Sequence, residues 1–164
     1  MSCLQTFDEI AEEVKTVLQE NQELSDLTFV NSFRSTKKPN PIRSTYVSIG
    51  VSGVEFLDGA FGNYFGKFNN NELIGRNCCV SIGLRIYSSK DNDGDLCCQA
   101  FSKISYALIL NNKLKGINKI SCKEVSFDKS ADAFFLDCMF KLNVFVGNSD
   151  DEIEISDIIV EGMV

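Results

Sequence analysis

Seven cysteines, at positions 3, 78, 79, 97, 98, 122 and 138, are the side chains best able to do chemistry in this chain, and no histidine accompanies them. A cysteine nucleophile ordinarily needs a base beside it, and a zinc site here would have to be built from Cys, Asp and Glu alone. The missing imidazole also removes any Ser-His-Asp set and any histidine acid/base near neutral pH. Two adjacent pairs, Cys78-Cys79 and Cys97-Cys98, invite the idea of a four-thiolate cage. Neighbours on a strand point to opposite faces and neighbours on a helix lie about 100° apart, so neither pair chelates well, and the C-x₂₋₄-C spacing of zinc sites is absent. Cys78, Cys97, Cys122 and Cys138 fall on or near apolar faces, where cysteine acts as a small hydrophobe. The expectation is no enzyme, no metal and no cofactor. The odd count, and an N-terminus opening into a charged helix without a signal peptide, predict reduced cytosolic thiols and not a disulfide frame.

Three other segments concentrate residues that could meet a partner. Gly53 to Gly75 holds five glycines and five aromatics, Phe56, Phe61, Tyr64, Phe65 and Phe68, followed by Asn69-Asn70-Asn71. It has no Gly-Lys-Ser/Thr phosphate-binding signature. A stretch this long is usually functional or holds unrecognised structure. It reads either as a loop folded back over a sheet or as an arm packed on another subunit, since aromatics concentrate at interface cores. Arg34, Lys37, Lys38 and Arg43 form the one local basic cluster, with a solvated turn as its default reading. At the C-terminus, Ile153, Ile155, Ile158, Ile159 and Val160 stand among Glu154, Asp157 and Glu161. That many branched apolar residues do not suit a free tail. They suit an edge strand of the same sheet or a strand donated to a neighbour.

The elements that position these residues are read from periodicity. Leu4, Phe7, Ile10, Ala11, Val14, Val17 and Leu18 make one helical stripe ending near Asn21, with Thr6/Glu9 or Ser2/Gln5 as its capping box. Leu27 to Phe33 reads as a short strand, and Pro39 and Pro41 then break the pattern. Ser44 to Ser52 alternates, as does Cys78 to Tyr87, with Cys78, Val80, Ile82, Leu84 and Ile86 on one face. A second helix spans about Asp95 to Asn111. Ile117 to Phe127 is irregular in a way that suggests a bulge, and Ala133 to Val146 alternates throughout. Unbroken, that last strand would be roughly 46 Å long, enough to project beyond the domain. Short links suggest antiparallel neighbours. The predicted fold is α+β: a single antiparallel or mixed sheet of about five strands with two amphipathic helices packed on one face.

The remaining bounds are compositional. With 164 residues, 44% apolar and 24% charged, the chain makes one domain able to bury a core without staples. The net charge of −7 argues against a protein that lives on nucleic-acid phosphates. No apolar run approaches the length of a membrane span.

The order of elements has a likeness. An N-terminal helix, a short strand, a Pro-containing turn and the strand Tyr46-Val47-Ser48-Ile49-Gly50-Val51 lead into a Gly-rich insertion. Then come the strand Cys79 to Tyr87, the link Ser88 to Asp95, a second helix and two closing strands ending in Phe134 to Val146. Over about residues 4–147 this resembles the tail-terminator, or tail-completion, proteins of long-tailed phages and phage-tail-like particles. The resemblance rests on length, order and strand texture, and departs from the usual pattern at Gly53–Gly75 and the acidic-apolar C-terminus. It implies a non-enzymatic homo-oligomeric ring, normally a hexamer, that caps the tail tube, ends its growth and meets a neck or head connector or a sheath protein. It places the protein in a particle tail assembled in the bacterial host cytoplasm, without a membrane or a specific nucleic acid as partner. Residues 1–147 would form the domain and 148–164 an arm. Phe61, Tyr64, Phe65, Phe68, Ile153, Ile155, Ile158 and Ile159 are the candidate contacts. Another ring component of the same machine, or a small thiol-dependent enzyme or ligand-binding domain, stands as the alternative.

Overall fold

In a computed structural model, residues 7–31, 42–57, 64–68, 71–110, 114 and 116–149 are described, with 64–68, 71–76 and 145–149 described as backbone path and pairing. Helix α1 (Phe7–Gln19) buries Ile10, Ala11, Val14, Val17 and Leu18, the stripe expected from its three-and-four spacing. Its outer side carries Asp8, Glu9, Glu12 and Glu13, all exposed. Strand β1 (Leu27–Asn31) comes next. Then come β2 (Thr45–Phe56), β3 (Tyr64–Phe68) and β4 (Asn71–Ser89). Helix α2 (Asp95–Leu110) leads to β5 (Ile117–Cys122), β6 (Ser126–Asp128) and β7 (Ala133–Ser149).

The strands form one mixed sheet in the order β1-β2-β4-β7-β5, with β3 beside β4 and β6 beside β7. The α+β expectation holds, with a spine of five strands and two short ones added. One local expectation fails: β1 and β2 are parallel, Leu27 opposite Thr45 through Asn31 opposite Ile49. Parallel neighbours need a crossover of a dozen or more residues, and residues 32–44 supply that length.

Alternation decides the two faces. Cys78, Val80, Ile82, Leu84 and Ile86 of β4 and Leu136, Cys138, Phe140, Leu142 and Val144 of β7 are buried beneath both helices. The opposite face carries a small cluster of Ile42, Tyr87, Ala131 and Ala133 at one end, with Tyr46 and Phe135 against it. In β2 the inward parity changes. Thr45, Val47 and Ile49 are buried, a register shift falls between Val51 and Gly53, and Val54 then packs on the core. Ser52 is the extra residue of this bulge. It faces Gly83, where an added Cβ would lie 3.2 Å from the Ser52 Cβ.

The long strands govern the outline. β4 and β7 pair without interruption from Leu73–Ser149 to Ser89–Ala133. At 17 residues β7 runs for about 56 Å, more than the roughly 40 Å diameter of a compact domain this size. Its far end therefore leaves the helix-covered core. There β3 takes over from β2 on the same side of β4, with Tyr64 opposite Ile74 and Phe68 opposite Asn71. Gly53–Gly75, read from sequence as a loop or arm, thus contains the end of β2, all of β3 and the start of β4. Glycine and asparagine interrupted the alternation and hid these strands from a periodicity argument.

Candidate functional site

The thiols are mostly packing. Cys78, Cys79, Cys97 and Cys138 are buried, whereas Cys98 and Cys122 are exposed. The expectation for Cys122 is corrected: β5 is an edge strand and its last residue meets solvent. Cys79, expected on the outward side, is buried there. Burial raises the thiol pKa of Cys78, Cys97 and Cys138, most strongly at Cys138, because a thiolate loses its hydration. At Cys97 the Sγ donates to Ser88 Oγ at 3.2 Å, and that contact works against the shift. Neutral buried thiols are poor nucleophiles and poor ligands. Among the described residues no group of three or more Cys, Asp or Glu is placed to hold a metal ion.

Polar structure instead collects on the sheet face away from the helices. Arg85 of β4 and Asp137 of β7 are register partners. The guanidinium grips the carboxylate through Nε–Oδ1 and through Nη2–Oδ2 at 2.9 Å. Its carbon also sits 4.9 Å from the Phe135 ring centroid, and Phe135 lies 6.1 Å from Tyr87. Hydrogen bonding to Asp137 raises the Arg85 pKa further, so the group is a fixed cation. Beside it Ser52, Gly83, Ser121, Lys123 and Met139 line a shallow groove of about 290 Å³. A groove this shallow, with its main charge already paired, is built as a surface and not as an enclosed small-molecule pocket.

Apolar side chains are left unspent elsewhere. On the outer face of α2, Tyr106, Ile109 and Leu110 are 66%, 67% and 74% exposed. Phe56 and Leu57, where β2 ends beside the extension, are exposed too. Contrast α1, whose outer face is acidic. The buried stripe of α2 is Cys97, Ala100, Ile104, Ala107 and Leu108, and sequence reasoning passed over this outer group. The available signal was three large apolar residues lying off that stripe.

Of the candidate contacts, Tyr64, Phe65 and Phe68 lie on β3, in the extension. Phe61, Ile153, Ile155, Ile158 and Ile159 lie outside the described residues, as do Arg34, Lys37 and Lys38 of the basic cluster, while Arg43 is exposed. No described helix is long and apolar enough to cross a membrane.

Comparison with known proteins yields a likeness of fold. No family model matches the chain, and no curated protein matches it. A solved structure described as the virion of a native gene transfer agent (GTA) particle contains a chain similar to this one, with a TM-score of 0.51 and 16% identity. The match covers 82% of this chain and 92% of that one, so nearly the whole of the other chain shares this arrangement of helices and strands.

Proposed function

We propose that this protein is a structural component of a phage-like particle, and within it the ring that caps the tail tube, ends its polymerisation and joins it to the neck, head or sheath. The observation that carries the reading is the fold shared with a virion chain across almost its full length. Two features of the surface support an assembling role. A three-stranded extension leaves the helix-covered core, and large apolar side chains stay exposed on α2 and at the end of β2. Exposed apolar groups that cluster mark contact surfaces. The narrower assignment to a tail terminator rests on the order of elements along the chain.

In this reading residues 1–147 are the ring-forming domain and 148–164 the arm. Phe61, Tyr64, Phe65 and Phe68 anchor contacts to a neighbouring copy or to the tube. Ile153, Ile155, Ile158 and Ile159 meet the neck or sheath. The protein acts without catalysis, in a particle tail put together in the host cytoplasm.

Native mass spectrometry and negative-stain imaging of the purified protein test it. Six chains of 18.3 kDa give a ring of about 110 kDa. Open-ended tubes would reassign the chain to the tube itself. A monomer at every concentration, unable to shorten tubes grown from the cognate tube protein, would overturn the reading.

A further inference from the structure

Cys122 and Cys138 stand directly opposite each other on β5 and β7. One residue along the same ladder, the Lys123 N–H donates to the Asp137 carbonyl at 2.8 Å. Hydrogen-bonded and non-hydrogen-bonded pairs alternate between antiparallel strands, so Cys122 and Cys138 form a non-hydrogen-bonded pair. Pairs of that kind hold their Cα atoms about 4.5 Å apart with side chains at closest approach. That separation lies inside the range of about 4.4–6.8 Å that a disulfide bridges. Directly opposed side chains also leave the sheet on the same face. The Cys138 Sγ is turned toward its own strand's Leu136 carbonyl at 3.8 Å, and a χ1 rotation between staggered wells redirects it.

We propose that Cys122 and Cys138 are a reversible disulfide site that fastens the edge strand β5 to β7. Exposure divides the labour: Cys122 is exposed and Cys138 is 6% exposed. The oxidant is a low-molecular-weight disulfide, RSSR. The Cys122 thiolate attacks one sulfur of RSSR, giving a Cys122–S–SR mixed disulfide and releasing RS⁻. The RS⁻ released in that step takes up the Cys138 proton, and the Cys138 thiolate, held opposite Cys122 by the strand register, then attacks the Cys122 sulfur and displaces the second RS⁻. Two thiols are oxidised and one disulfide is reduced to two thiols, so atoms and electrons balance. Cys97 is already engaged with Ser88, and Cys98 sits on α2, not on the paired strand. The gain falls at one edge of the sheet. β5 lies at the end of the strand order, and its register with β7 slips between Ile117 and Lys119. The site belongs to the fold of one chain and needs no ring.

The full-length protein is incubated with oxidised glutathione, its free thiols are blocked with an alkylating agent, and a non-reduced tryptic digest is mapped by mass spectrometry. The expected product joins Ile120–Lys123 to Ser130–Lys141, two hydrogens lighter than the two free peptides, and the thermal midpoint rises and falls back on adding dithiothreitol. Cys122→Ser should abolish the product, and Cys138→Ala should stop the reaction with glutathione on Cys122. If wild-type protein keeps glutathione on Cys122, or couples Cys122 to Cys98, the assignment is overturned. That map of the wild-type protein decides the matter even where Cys138→Ala does not fold.

Discussion

Replacing Gly94 with alanine adds one methyl group at the junction where β4 hands over to α2. The backbone there stands at φ +82°, and an added Cβ would meet Val125 Cγ1 at 2.5 Å. Two costs arise. Holding an L-residue in the left-handed region costs roughly 1–2 kcal/mol. Relieving the overlap by moving Val125, which packs against the core, costs about 1–3 kcal/mol, as overpacking generally does. Together they give about 2–5 kcal/mol, a large share of the about 5–15 kcal/mol that holds a domain folded. For a chain of this size the thermal midpoint should fall by roughly 4–20 °C. Urea unfolding followed by circular dichroism measures the free energy, and a cycle with Val125→Ala separates the two costs. In the Val125→Ala background, Gly94→Ala should cost only the conformational part, about 1–2 kcal/mol. A loss below about 0.5 kcal/mol in the wild-type background would refute both halves of the reasoning. An equal loss in both backgrounds would refute the contact with Val125 alone.

Three further outcomes are expected. Phe65→Ala and Phe68→Ala, in the extension, should each weaken ring formation by about 2–4 kcal/mol, as truncated interface anchors do, while circular dichroism shows a folded monomer. Normal assembly by native mass spectrometry, or outright unfolding, would return these residues to the role of core. Deleting residues 150–164 should leave folding and ring formation intact and reduce co-sedimentation with neck or sheath, and a fully functional tail would defeat that expectation. A thiol reagent at pH 8 should modify Cys98 and Cys122 at once. Cys78, Cys97 and Cys138 should wait for unfolding, because burial raises their pKa and keeps them protonated. Raising the pH toward 9 should still leave the buried three slow; prompt labelling of all five in folded protein would contradict the burial.

Much of the architecture was legible in local periodicity. The alternation from Cys78 to Ile86 and from Leu136 to Val144 marks the helix-covered face residue by residue, and the stripe from Ile10 to Leu18 marks the buried side of α1. A period of two or 3.6 is a property of consecutive residues, so neighbours in sequence suffice to reveal it. The vicinal cysteines obey the same logic, since Cys78 and Cys79 do lie on opposite faces.

Interrupted periods were harder to read. β3 and the first residues of β4 contain Gly66, Asn71 and Gly75, and a strand there becomes visible only through its partner. The shift at Ser52 is likewise hidden, because a bulge exists only relative to the strand beside it.

From composition and periodicity, then, the chain by itself determined an α+β domain with a helix-covered sheet, inward-facing aliphatic rows and no histidine chemistry. The tertiary structure decided everything that depends on which strands meet and in what register. It set β1 parallel to β2, brought Arg85 to Asp137 from opposite sides of α2, placed Cys122 against Cys138, and carried β4 and β7 past the core. Register is set by the fit of whole faces over many residues, and a one-residue slip exchanges one face for the other. No single segment carries that information, so it appears only when the strands are assembled into one sheet.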